Sequence, residues 1–182
     1  GVRFYNSRIK NRPFEFDFHP QYSFVEKSIV GFFKADYKLF KANSRNYLTR
    51  FRVSGSSFHY DSNYRYTVLI PSIGWSFRPE NIRDNKRQIL QLAWYNVFRD
   101  KSPNVITNPD YSILNLRHVF VRNNTIDYLS ARSNIEFSEP FGKIQFSGQA
   151  RKLFPSGRQL SARIFLGKFL WHNTLDTQFF DF

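Results

Sequence analysis

The sequence has no cysteine and no methionine among its 182 residues. Without cysteine, the chain can form neither a disulfide framework nor a thiolate metal site. It begins Gly1-Val2-Arg3, with neither a starting methionine nor an apolar signal segment, so we expect a processed or excised part of a longer chain. Long apolar runs are also missing, because the uncharged stretch 66–77 is interrupted by Pro71 and Gly74. That stretch is too short for a membrane helix, so any membrane crossing must use strands.

Sequence motifs of catalysis are absent as well. The four histidines do not occur at the spacing of a helical zinc motif, and no glycine-rich phosphate-binding pattern is present; they are His19, His59, His118 and His172. Glu15 and Asp17 share one face of a predicted strand, where solvated or ion-paired carboxylates are the ordinary interpretation. We therefore predict no catalytic residues, no metal site, no cofactor and no enzymatic activity for this segment.

Aromatic residues and positive charge are what the sequence has in excess. Twenty-two Phe, ten Tyr and three Trp make up 19% of the chain, and the formal net charge is +13. Aromatic side chains favour strands and also collect at membrane interfaces. A basic balance is compatible with nucleic acid, an anionic membrane surface or acidic ligands, so the placement of the charges has to decide between them.

Apolar and polar residues alternate along most of the chain, which is the period of a strand with two unlike faces. Turn signals separate the alternating segments, for example Asn43-Ser44, Asp61-Ser62-Asn63, Glu139-Pro140-Phe141-Gly142 and Pro155-Ser156-Gly157. We predict about nine antiparallel strands, many of them about ten residues long, in a single all-β domain covering residues 1–182. Residues 85–98 also fit a helical stripe; we interpret them as a strand because the neighbouring segments are strands.

The alternation divides the strand residues into two sets of candidate functional positions. One set is polar and is predicted to face a wet barrel lumen: Lys34, Asp36, Lys38, Arg50, Arg52, Arg132, Asn134 and Glu136. The other is apolar and is predicted to face lipid: Phe33, Tyr37, Leu39, Phe51, Ile135, Phe137, Ile144 and Phe146. Because a lumen is wet, we expect Arg52 to tolerate replacement by glutamine at little cost in stability.

Two alternatives to the membrane barrel also alternate in this way. A soluble β-sandwich buries its apolar side as a core, but its strands are usually only five or six residues long. A nucleic-acid-binding barrel carries basic and stacking aromatic residues, but these normally share one face. Here many aromatic residues oppose the basic ones, so we predict no nucleic-acid partner.

Three segments resemble a known family. They are residues 87–100 (RQILQLAWYNVFRD), 111–120 (YSILNLRHVF) and 151–170 (RKLFPSGRQLSARIFLGKFL). They resemble the C-terminal outer-membrane barrel attached to gluzincin (aminopeptidase-like) zinc metallopeptidases of Gram-negative bacteria. The resemblance covers roughly the second half of the chain, and strand sequences are modestly specific motifs. It implies that any zinc ligands belong to a separate domain, because this chain has no His-Glu-x-x-His.

We therefore expect an antiparallel transmembrane β-barrel, or a large part of one, in the cell outer membrane. Its expected role is that of an anchor, scaffold or pore wall for a larger protein or complex. Expected partners are membrane lipid with anionic headgroups and further strands or domains of a parent chain or partner subunits. The alternative is a soluble β-domain that binds anionic ligands or nucleic acid.

Overall fold

The computed structural model describes residues 1–6, 12–61, 64–81, 83–101 and 110–173, with the side chain of Asp61 left out. Ten strands form one antiparallel sheet in this part of the chain. Their bounds are β1 Phe4–Tyr5, β2 Phe14–Ser23, β3 Ser28–Phe40, β4 Asn46–Asp61, β5 Tyr64–Phe77, β6 Lys86–Arg99, β7 Tyr111–Asn123, β8 Asp127–Phe137, β9 Phe141–Leu153 and β10 Gln159–His172.

The strands follow one another across the sheet in chain order, so each pairs only with its neighbours in sequence. This is the up-and-down arrangement that short connections favour between antiparallel strands. The all-β prediction is confirmed. The count is ten rather than about nine, because the two-residue β1 lies in a segment with too few residues to show alternation. No pairing between β1 and β10 is present in the described residues, so the sheet is open there.

The ambiguous segment 85–98 forms most of β6, a strand of 14 residues. Its residues pair with β5 on one side and β7 on the other, for example Leu92 with Ile73 and with Leu116. Backbone hydrogen bonds to two neighbours cannot be made by a helix. The interpretation as a strand is therefore confirmed, and tertiary pairing decides where local periodicity did not.

Most predicted turns join consecutive strands. Gly157 has a φ of 76° in the connection between β9 and β10, which a residue without a Cβ adopts at little cost. The predicted turn at Asp61-Ser62-Asn63 lies largely outside the described residues. The end of the sequence, Trp171 to Phe182, also alternates like a strand; Trp171 and His172 are the last residues of β10, Asn173 follows them, and residues 174–182 lie outside the described residues.

Very few apolar side chains are buried. In the described residues, the apolar side chains that are buried are Ala93, Val97 and Phe141. No second layer of structure covers either face of the sheet in this part of the chain, because strands contact chiefly their sheet neighbours. The part of the chain that the structure describes contains no helix long and apolar enough to cross a membrane.

Candidate functional site: the polar face of the sheet

The strand register sorts the side chains onto two faces of the sheet. Asp36 pairs with Glu15 on β2 and with Arg52 on β4, while Tyr37 pairs with Phe14 and Phe51. Paired residues in an antiparallel sheet point to the same side. We call the side of Asp36 the polar face and the side of Tyr37 the apolar face.

The eight residues of the predicted polar set all lie on the polar face. On β3 and β4 they are Lys34, Asp36, Lys38, Arg50 and Arg52. On β8 they are Arg132, Asn134 and Glu136, and the register through β5, β6 and β7 places these three on the same side of the sheet. Pairing therefore brings residues that are about a hundred positions apart in sequence onto one continuous surface.

Around Asp36 on β3, the polar face is the more crowded of the two. Asp36 is 3% exposed and Lys38 is 8% exposed, whereas Tyr37 between them is 48% exposed. Because no other layer covers these strands, the burial comes from neighbouring side chains of the same sheet. Such crowding is typical of the concave side of a curved sheet.

A bidentate ion pair joins β3 to β4 on this face. The Arg52 guanidinium donates from Nε to Asp36 Oδ1 at 2.6 Å and from Nη2 to Asp36 Oδ2 at 2.9 Å. Two parallel hydrogen bonds of this kind fix the orientation of both side chains. The expectation that Arg52 is cheaply replaceable does not fit this geometry, because its removal would leave a buried carboxylate without its principal partner.

A second pair links β2 to β3. Lys38 Nζ lies 2.6 Å from Glu15 Oε2, and both side chains are largely buried. On β2, two residues further along, Asp17 accepts hydrogen bonds from Arg3 Nε at 2.9 Å and Nη2 at 2.7 Å. The acids Glu15 and Asp17 therefore each form an ion pair with a cation of a neighbouring segment, which is the ordinary interpretation of these carboxylates given above.

A polar network occupies the same face on β7, β8 and β9. Asn115 Nδ2 donates to Asn134 Oδ1 at 2.9 Å and to Glu136 Oε1 at 3.1 Å, and Asn134 Nδ2 donates to Glu136 Oε1 at 2.7 Å. Lys143 Nζ lies 3.2 Å from Glu136 Oε2. Asn115 and Lys143 were not among the predicted site residues, since their role becomes visible only when the register of three strands is known.

The predicted lipid-facing set lies together on the apolar face. Seven of the eight residues are exposed, between 36% and 48%: Phe33, Tyr37, Leu39, Phe51, Phe137, Ile144 and Phe146. Ile135 is partly exposed, and the register pairs it with Ile144 on the same face. These eight residues of the apolar face are therefore open or partly open to the surroundings.

The described residues offer no cluster for metal binding. No group of three or more His, Asp or Glu side chains in this part of the chain is arranged to hold an ion. His19 packs edge-on against Phe32, with ring centroids 5.2 Å apart. His118 Nε2 lies 3.0 Å from the Gln88 amide nitrogen. These two histidines thus have ordinary aromatic or amide neighbours.

No protein-family model, curated protein or solved structure matches this chain. The similarity to the barrels of gluzincin-type metallopeptidases accordingly stays a prediction, and the function has to be argued from the two faces of the sheet.

Proposed function

We propose that this chain forms the wall of a transmembrane β-barrel and serves as a membrane anchor or scaffold for a larger protein or complex. The observation that carries this proposal is the inverted polarity of the sheet. Buried side chains include the charged residues Asp36 and Lys38, whereas large aromatic and aliphatic side chains are exposed. A barrel in lipid has this distribution, with an apolar exterior and a polar interior.

The amount of exposed apolar surface supports a lipid environment. On β1 and β2, the exposed fractions of Phe4, Phe14 and Phe18 are 47% to 53%. On β6 and β7, Trp94 is 52% exposed and Leu114 is 42% exposed. The register places all five on the apolar face. A continuous patch of this kind on a water-soluble protein normally marks a covered interface. Lipid would cover all of it at once.

Strand length supports the same environment. Strands β2 to β10 contain 10 to 16 residues each. A tilted strand needs about 9 to 11 residues to cross the apolar core of a bilayer. Backbone groups of the inner strands are paired on both sides, which is the requirement that lipid imposes on any spanning structure.

The open edge strand and the cations near the strand ends suggest two kinds of partner, which are further strands and lipid headgroups. Strand β10 pairs with β9 alone in the described residues, and an open edge in lipid leaves backbone groups unpaired. We propose that further strands of a parent chain or of a partner subunit continue the sheet. Lys86, Arg122 and Lys152 lie on the apolar face near one end of their strands, where they would meet anionic lipid headgroups. The implied location is the cell outer membrane.

The alternative is a soluble β-domain that binds anionic ligands or nucleic acid. The cation excess is compatible with it. It would require a second layer of protein over the apolar face, and the described residues provide none. The inverted polarity therefore favours the membrane proposal.

Cysteine scanning along β3 tests the proposal, because the chain has no cysteine of its own. Single cysteines replace residues 33 to 39 in turn, and the protein is folded into lipid vesicles. A lipid-phase thiol reagent is expected to label positions 33, 35, 37 and 39 and to spare 34, 36 and 38. Labelling that does not alternate, or a preference for the even positions, would contradict the proposal. Failure of the unmodified protein to float with vesicles would contradict it too.

A further inference from the structure

The charges on the polar face do not balance. Its four strand carboxylates each pair with a cation: Glu15 with Lys38, Asp17 with Arg3, Asp36 with Arg52 and Glu136 with Lys143. Further cations on this face lie within 4.0 Å of no carboxylate in the described part of the chain, among them Lys34, Arg50, Arg87, Arg117 and Arg132. The polar face therefore has a surplus of positive charge, which attracts anions.

Arg50 is the surplus cation with the most confined surroundings. The register places it between Lys38 on β3 and Gly74 on β5. Its Nε is buried from solvent and has no hydrogen-bond partner in the described structure. A buried guanidinium donor without an acceptor is costly, and such groups usually have an unseen water or ion beside them.

Space for a ligand lies directly beside this guanidinium. A cavity of about 140 Å³ is lined by Arg50 and Arg52 together with the small residues Ser72, Gly74 and Ser76 of β5. It adjoins a wider cleft of about 860 Å³ towards the end of the strands, which Arg50 and Ser76 also line and to which Arg87 contributes. The cavity thus has a cationic wall, two hydroxyl donors and an open approach.

We infer that this cavity binds a small oxyanion, such as phosphate or a carboxylate, with Arg50 as its main ligand. The planar guanidinium presents its N–H donors in a fork that matches the paired oxygens of such anions. Ser72 and Ser76 supply neutral donors, and Arg87 in the cleft draws the anion inward. The bound anion would balance the charge of Arg50, which forms no ion pair within 4.0 Å in the described part of the chain.

Gly74 is what leaves the cavity open. A Cβ built at this residue would meet no atom closer than the Leu90 carbonyl oxygen, at 3.8 Å. The position therefore has room for a side chain. The site rests on the proposed function for its place in a barrel interior, while anion binding itself depends on the residues that line the cavity.

Binding of inorganic phosphate to the full chain folded in detergent micelles tests the site, with radiolabelled phosphate in equilibrium dialysis. We expect saturable binding that weakens about tenfold to a hundredfold in Arg50→Gln, the effect of losing one charge-assisted contact. Arg132→Gln is the matched control. It also removes one surplus cation from the polar face but lies far from the cavity, and its binding should stay within about twofold. No saturable binding by the folded chain, or equal losses in the two variants, would overturn the site.

Gly74→Val provides an independent second variant. It keeps every charge and fills the cavity, so binding should fall as in Arg50→Gln; unchanged phosphate binding would overturn the inference. Vesicle flotation is measured on the same preparation. Phosphate binding without flotation would support the site and refute the membrane function. Flotation without phosphate binding would support the membrane function and refute the site.

Discussion

The ion pair between Asp36 and Arg52 gives the sharpest test of how the polar face is held together. The Asp36 side chain is 4% exposed and accepts two hydrogen bonds from Arg52, at 2.6 and 2.9 Å. Arg52→Gln removes both and leaves a carboxylate in a crowded setting. Removal of one partner of a buried pair costs about 3–5 kcal/mol in free energy of unfolding. We expect about 3 kcal/mol here, because the cations Lys34 and Arg50 are near enough to stabilise Asp36 partly.

The matched control for this change is Arg132→Gln. Arg132 is an exposed cation on the same face, with no ion-pair partner in the described residues, so its replacement should stay within about 0.5 kcal/mol. The double variant Asp36→Asn with Arg52→Gln should be more stable than Arg52→Gln alone, because a neutral amide has a smaller desolvation cost. Urea unfolding in lipid vesicles, followed by the fluorescence of the three tryptophans, measures all three. Equal costs for Arg52→Gln and Arg132→Gln would refute the reasoning.

Three further predictions concern the apolar face, a strained glycine and the charge excess. Phe51→Arg should lower the free energy of unfolding in bilayers by about 2–4 kcal/mol if the site is near the midplane, and Phe51→Leu by much less; equal costs would argue against lipid contact. Gly31→Ala should destabilise by more than about 2 kcal/mol, because Gly31 has a φ of 137° and a Cβ there would overlap the His19 carbonyl. Gly74→Ala, which meets no such overlap, should be neutral or stabilising in the same unfolding experiment, and similar values for the two would contradict this account. Oligonucleotide binding should be weak and disappear as salt is raised; filter binding that survives physiological salt and is lost in Tyr66→Ala would favour the soluble alternative.

The two faces of the strands could be predicted from the sequence because a strand has a period of two. A single segment such as Phe33 to Leu39 is enough to assign its apolar and polar sides. The side of the molecule on which each set lies could not be predicted, since a soluble sandwich and a membrane barrel alternate alike. The structure adds the burial of each set: Asp36 is 3% exposed and Tyr37 is 48% exposed, the opposite of the order in a water-soluble core, and this is what supports the proposed barrel.

The partners of the charged residues could not be predicted because they depend on register. A shift of one residue between β3 and β4 would place Asp36 opposite an apolar side chain instead of Arg52. The hairpin between these strands sets that register, and the sequence between Phe40 and Asn46 does not specify its geometry uniquely. The network of Asn115, Asn134 and Glu136 depends in the same way on the register of β7 with β8. Predicting both the Asp36 ion pair and this network would have required the correct register of two separate hairpins.

The polar face carries cations that are paired with carboxylates and cations that are not. Ion pairs between adjacent strands, such as Arg52 with Asp36, hold side chains against the sheet and lower the cost of crowding charges on a concave surface. A carboxylate that is engaged in such a pair is no longer free to neutralise another cation of the face. All four strand carboxylates of the polar face are engaged in the described part of the chain, and cations such as Arg50 form no ion pair there, so solution anions can balance them. A sheet that needs its acids for structural pairing is therefore cationic on its polar face, and the surplus at Arg50 follows from how the sheet is held together.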